Sequence, residues 1–89
     1  MDGKTHHVAR RRENRQLAAT TPPADPQAVV EFGCECSKID CERSVKVPLY
    51  VYRRILDSGN QFLLQAGHHA FPQYRTIVTV GLMSIEERV

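Results

Sequence analysis

No apolar run in the 89 residues approaches the ~18 needed to cross a bilayer, so no membrane span is expected. The basic residues near the N-terminus have no apolar stretch behind them, so a secretory leader is not expected either. There is no HExxH, no phosphate-cradling P-loop and no G-x-S-x-G elbow. Those absences make an enzyme the weakest reading, and no small-molecule substrate is expected. Nothing matches a helix-turn-helix or a two-histidine zinc finger, which argues against sequence-specific reading of DNA. Repeats and low-complexity segments are missing too. Cysteine is scarce and odd in number: three cannot all pair within one chain, and a secreted disulfide scaffold more often has an even count. The expectation is a soluble, cytoplasmic chain.

What is present divides in two. Residues 1–27 are polar and proline-containing, whereas residues 28–89 carry every Ile, Phe and Tyr. The first part reads as a basic flexible tail or linker, the second as a small zinc-binding α+β domain. Residues 1–19 hold Lys4, Arg10, Arg11, Arg12 and Arg15 against Asp2 and Glu13, a net +3, while the remainder is −1. An arginine-rich arm can contact nucleic-acid phosphates or an acidic protein surface, and the plain alternative is a solvated terminus. VARRRENRQLAA (8–19) is rich in helix formers but has no apolar stripe that obliges it to pack. TTPPADP (20–26) reads as a stop and a linker, because each proline lacks an amide donor.

Strands are expected at 28–32 (AVVEF), 44–47 (SVKV), 61–65 (QFLLQ), 74–80 (YRTIVTV) and 82–87 (LMSIEE). One helix is expected over 48–59, with Pro48 at its first position and Gly59 as its C-terminal cap. Leu49, Tyr52, Ile55 and Leu56 supply its apolar face. This order suggests a small, mostly antiparallel sheet with one helix against a face. The expected core is Val30, Phe32, Val45, Val47, Tyr52, Ile55, Phe62, Leu64, Ile77, Val78, Val80 and Ile85.

All three cysteines lie in GCECSKIDCE (33–42), spaced Cys34-x-Cys36-x₄-Cys41. Two residues apart in extended backbone, Cys34 and Cys36 project to one side, and the following segment can turn to bring in Cys41. Zinc favours thiolate and imidazole in a tetrahedron, and structural sites close with four protein ligands. The fourth is expected to be His68, launched from the loop after the third strand. His69 and the tail residues His6 and His7 are the alternatives. A folded unit of about 60 residues buries only about 60% of its unfolded surface, so a metal staple suits a chain this small. Three thiols packed without metal, or one oxidised pair such as Cys36–Cys41 plus a free thiol, are the competing readings. Against simple packing stands the polarity of the loop, which includes Glu35, Ser37, Lys38, Asp40 and Glu42.

The segment FGCECSKIDCERSVKVPLYVY, followed by FLLQAGH, resembles a group of short, mostly uncharacterised actinobacterial proteins. That group shares a C-x-C-x₄-C knuckle, an apolar strand, a helix with a central tyrosine and a strand ending in Gly-His. The resemblance runs from Phe32 to His68, somewhat under half of the chain. It implies Cys34, Cys36, Cys41 and His68 as motif positions, and Tyr52 and Phe62 as core. Pro48 stands where the group more usually has threonine, and Gln65-Ala66 where Ala-Pro is commoner. The resemblance implies a zinc-binding fold and brings no activity with it.

The functional expectation is a non-catalytic zinc module that binds a protein or a nucleic acid, with Arg10, Arg11, Arg12 and Arg15 as the nucleic-acid contacts. The alternative is a zinc-thiolate redox switch, since zinc-bound thiolates can be oxidised with loss of metal.

Overall fold

The computed structural model describes residues 3–20 and 27–88. Helix α1 (Gly3–Thr20) is followed by strands β1 (Val29–Gly33) and β2 (Ser44–Pro48), helix α2 (Leu49–Ser58), and strands β3 (Gln61–Gln65), β4 (Tyr74–Val80) and β5 (Met83–Arg88). The α+β class and the antiparallel pairing are as expected. The arrangement has two sheets, a β1–β2 hairpin and a three-stranded sheet ordered β3-β5-β4. Helices number two among the described residues, where the sequence suggested one.

The additional helix lies in the expected tail. Its 18 residues pack on the domain, burying His6, His7, Asn14 and Ala18. The expectation of an unattached arm is thus corrected for residues 3–20, because the docking is polar and hydrophobic periodicity does not register it. The Asn14 side chain donates to the Gly33 carbonyl at 2.8 Å and accepts from the Gly33 amide at 2.9 Å, so one amide side chain pairs with β1 as a strand would. The missing Cβ of Gly33 makes room for Arg10, whose Cδ would lie 3.0 Å from it. The linker expected at 20–26 falls, apart from Thr20, outside the described residues.

The hairpin follows period-two logic. Val30 opposes Val47 and Phe32 opposes Val45, putting these apolar residues on one face and Glu31 with Lys46 on the other. Pro48 ends β2, and α2 starts at the next residue. Gly59 closes α2 in the left-handed region at φ 79°, its amide donating to the Leu56 carbonyl. The main core joins Phe32, Val45, Val47, Leu49, Tyr52, Ile55, Leu63 and Ile85, with Phe32 stacked on Tyr52 at 4.2 Å between centroids.

β3 is buried on both faces. Leu63 enters the main core, while Phe62 and Leu64 enter a second cluster with the three cysteines and Ala70. β4 is the opposite case. Ile77, Val78 and Val80, expected in the core, are 38%, 38% and 63% exposed. β4 is an edge strand paired only with β5; Tyr74 at its start meets His7 of α1, while the residues beyond it are exposed. A β-branched run announces a strand; whether a second layer lies over it depends on the rest of the chain. Among the described residues, no helix is long and apolar enough to cross a membrane.

Candidate metal centre

Past the end of β1, the Cys34 and Cys36 sulfurs join one cluster while the Glu35 side chain between them goes to Arg11, Asn14 and Tyr52. The Cys34 amide bonds the Arg43 carbonyl at 2.9 Å, carrying the hairpin ladder one step past the strands. Between them the chain turns, with the Cys41 amide donating to the Lys38 carbonyl at 3.0 Å. That turn returns Cys41 to the other two sulfurs. From the opposite side, Gly67 adopts φ 90° after β3 and the His68 amide bonds the Gln65 carbonyl at 2.9 Å. This compact turn aims the imidazole at the cysteines.

The four side chains converge. One ligand atom from each of Cys34, Cys36, Cys41 and His68 lies within 4.8 Å of all the others. His68 Nδ1 is 3.6 Å from Cys34 Sγ and 3.5 Å from Cys41 Sγ. The set could hold a metal ion. All three cysteines are free and buried, so neither the oxidised pair nor a solvated polar loop describes them. Burial pushes the Cys34 thiol up to about 12, outweighing the hydrogen bond that the Gln65 amide gives its sulfur. Burial raises Cys36 as well. Thiols in such a place keep their protons until a cation displaces them, and burial would raise a packed, metal-free thiol in the same way.

The other three histidines sit elsewhere. His69, adjacent to His68, turns its Nδ1 to the buried Glu86 carboxylate at 2.6 Å. His7 places Nδ1 2.6 Å from the Glu35 carbonyl and packs its ring 4.5 Å from that of Phe62. His6 is buried on α1, and burial, then the charge of Arg10, lower its pKa.

Sequence reasoning missed the residue that holds the cluster in place. Glu35 was taken as one of the polar residues of an open loop, yet it is fully buried. Its Oε1 accepts from Arg11 at 3.1 Å and from the Leu63 amide at 2.9 Å. Its Oε2 accepts from Asn14 at 2.9 Å and from the Tyr52 hydroxyl. One carboxylate therefore ties α1, α2 and β3 to the segment after β1 that carries Cys34 and Cys36. Burial, and then the Glu35 charge, raise the Tyr52 pKa well above the ordinary phenol, so the hydroxyl is the donor. Position 35 lies between two cysteines read as same-facing, and that alternation was the signal that could have found it.

The arginines expected to meet nucleic acid divide into two pairs. Arg10 turns inward and donates to the Cys41 carbonyl at 2.9 Å, while Arg11 is committed to Glu35. Arg12 and Arg15 are exposed. No family model matches the chain, and no curated protein or solved structure matches it.

Proposed function

We propose that the protein is a non-catalytic binding module whose fold is closed by one structural zinc ion on Cys34, Cys36, Cys41 and His68, and whose surface engages a protein or nucleic-acid partner. The observation that carries the reading is the His68 Nδ1 position, 3.5 and 3.6 Å from two sulfurs. A zinc tetrahedron with bonds of about 2.3 Å to sulfur and about 2.0–2.1 Å to nitrogen has an S···N edge of about 3.5 Å. Three soft thiolates and one imidazole are also the donor set that zinc takes in structural sites. Four protein ligands leave no coordination position for water, so the zinc would supply cohesion and no chemistry. The resemblance to short bacterial proteins with the same cysteine and histidine positions belongs to this reading.

Burial argues against the redox alternative. Sensor cysteines are solvent-accessible, whereas Cys34 and Cys36 are at most 1% exposed.

Metal content by mass spectrometry on the purified full chain tests the proposal, alongside circular dichroism before and after a chelator. One zinc per chain is expected, with loss of metal and fold together in Cys36→Ser and His68→Ala, and retention of both in His69→Ala. A folded wild-type chain without metal, or zinc retained in His68→Ala, would overturn it.

A further inference from the structure

A second site lies along α1, beside the residues that contact Glu35. Between α1 and the three-stranded sheet is an open cavity of about 560 Å³, within the range of small-ligand sites. Its two walls differ in kind. One is aromatic: Phe62 stacks on Tyr74 at 5.5 Å with 23° between planes, and Phe71 meets Tyr74 edge-on at 5.4 Å. Phe71 and Tyr74 are only half-buried, so part of each ring remains open to a ligand. The Arg11 guanidinium lies 4.7 Å from the Phe62 centroid, so a planar cation already stacks in this wall.

The other wall is cationic. Lys4, Arg12 and Arg15 line the cavity from α1, and Arg88 lines it from the end of β5. All four are exposed. None forms an ion pair among the described residues, and no Asp or Glu lines the cavity. Arg11 is the exception, its charge balanced by Glu35. Four cations with no ion-pair partner among the described residues, beside open aromatic rings, form a site for a ligand that is planar at one end and anionic at the other.

We infer that this cavity binds a nucleotide unit of single-stranded nucleic acid, its base on Phe71 and Tyr74 and its phosphates on Arg12, Arg15, Lys4 and Arg88. Base–aromatic stacking combined with a basic groove is how single strands are held without sequence preference. A duplex keeps its bases inside and would reach only the cations. The inference deepens the proposed binding module by choosing its partner, and it rests on that reading only for the folded, zinc-loaded chain. It also draws on surface that the metal does not occupy, so the two can fail separately.

The test is fluorescence anisotropy of labelled single-stranded hexamers, RNA and DNA, titrated with the zinc-loaded full chain at 50 mM salt. Competitors are a duplex of the same sequence, adenosine monophosphate, inorganic phosphate and anionic vesicles. Single strands are expected to bind more tightly than duplex. Arg12→Ala and Arg15→Ala, both on exposed positions, should each weaken binding and flatten its salt dependence, since each phosphate contact contributes a log–log slope of about −0.7. Phe71→Leu keeps the apolar volume but removes the ring, and should cost roughly thirtyfold, near the middle of the range for one lost stack. Arg54→Ala, on α2 away from the cavity, should change nothing. Competition by adenosine monophosphate at matched nucleotide concentration would identify the free nucleotide as the ligand's source, and weak competition the strand; both uphold the site. No binding at low salt, equal binding of duplex, competition by phosphate or vesicles as strong as by the strand, or an unchanged Phe71→Leu would each overturn it. If the chain carries no zinc, it is the metal reading that falls, and any hexamer binding would still be read by the same variants.

Discussion

Glu35 and Glu86 are both withdrawn from solvent, and each anchors one of the two segments that bring side chains to the cluster of Cys34, Cys36, Cys41 and His68. Glu35 fixes the Cys34–Cys36 run, and Glu86 fixes the loop just past His68 through the Ala70 amide at 2.8 Å and the His69 ring. Their partners differ. Glu35 is surrounded by donors that are themselves buried or nearly so, including an Arg11 side chain only 11% exposed. Glu86 meets one backbone amide in the interior, while its other partners, the 70% exposed His69 side chain and the Thr76 hydroxyl, lie toward water. A buried carboxylate is only as costly to remove as the partners it leaves without one. The same residue type, equally buried, should therefore carry very different weight at the two positions.

Glu35→Ala is the change that should break this comparison most sharply. It would strand Arg11, Asn14, the Tyr52 hydroxyl and the Leu63 amide together. Removing one side of a buried ion pair costs about 3–5 kcal/mol, and a domain this small has a total of roughly that size. Zinc-loaded Glu35→Ala is expected to be unfolded or to lose most of its urea midpoint, read by circular dichroism. Near-wild-type stability would show that Glu35 is a bystander of the metal cluster. Arg11→Met sharpens the point, since it keeps three of the four hydrogen bonds and removes the charge. It leaves the buried Glu35 charge without its counter-ion, so a loss of about 3–5 kcal/mol is expected, at or just below that of Glu35→Ala.

How far the sequence disclosed this arrangement depended on the type of contact. Cys34, Cys36, Cys41 and His68 were legible because a metal requires particular donors at short spacing, and few residues qualify. α2 and its Gly59 cap were legible from local pattern, and so were the limits of β3 and β4. The docking of α1 was not, because it runs through Asn14, His7 and Arg11 onto backbone atoms and a carboxylate, none of which has an apolar period. The exposure of Ile77, Val78 and Val80 was hidden for a different reason. Their β-branched run is the same in an edge strand and a covered one, and only the long-range order β3-β5-β4 separates the two. Glu35 lay between these cases: its neighbours gave its direction, but the identity of what it would meet on that side came from residues 11, 14, 52 and 63.

Glu86→Ala should fall well below Glu35→Ala. One interior amide, that of Ala70, is left without its acceptor, for about 1–3 kcal/mol. The more telling readout is metal retention, because the loop that positions His68 loses its anchor. Groups that orient metal ligands commonly contribute 10- to 100-fold in affinity, and a loss of about tenfold is expected in competition with a chromogenic chelator. Equal damage from Glu86→Ala and Glu35→Ala would mean that burial alone, irrespective of partners, sets the cost.

His69→Ala isolates the exposed half of the Glu86 network and should have the smallest effect. The ring is mostly in water, and ion pairs or hydrogen bonds at such positions are worth about 0–1 kcal/mol. The Glu86 carboxylate keeps the Ala70 amide and the Thr76 hydroxyl, and water can replace the imidazole at the open side. Urea denaturation is expected to shift by less than about 1 kcal/mol, with one zinc retained. A larger loss accompanied by loss of metal would mean that His69 orders the loop which presents His68, and would move it from the rim of the network to its centre. The distinction matters for the two neighbouring histidines, because they differ in function only by direction: one turns into the cysteine cluster and the other away from it, toward Glu86.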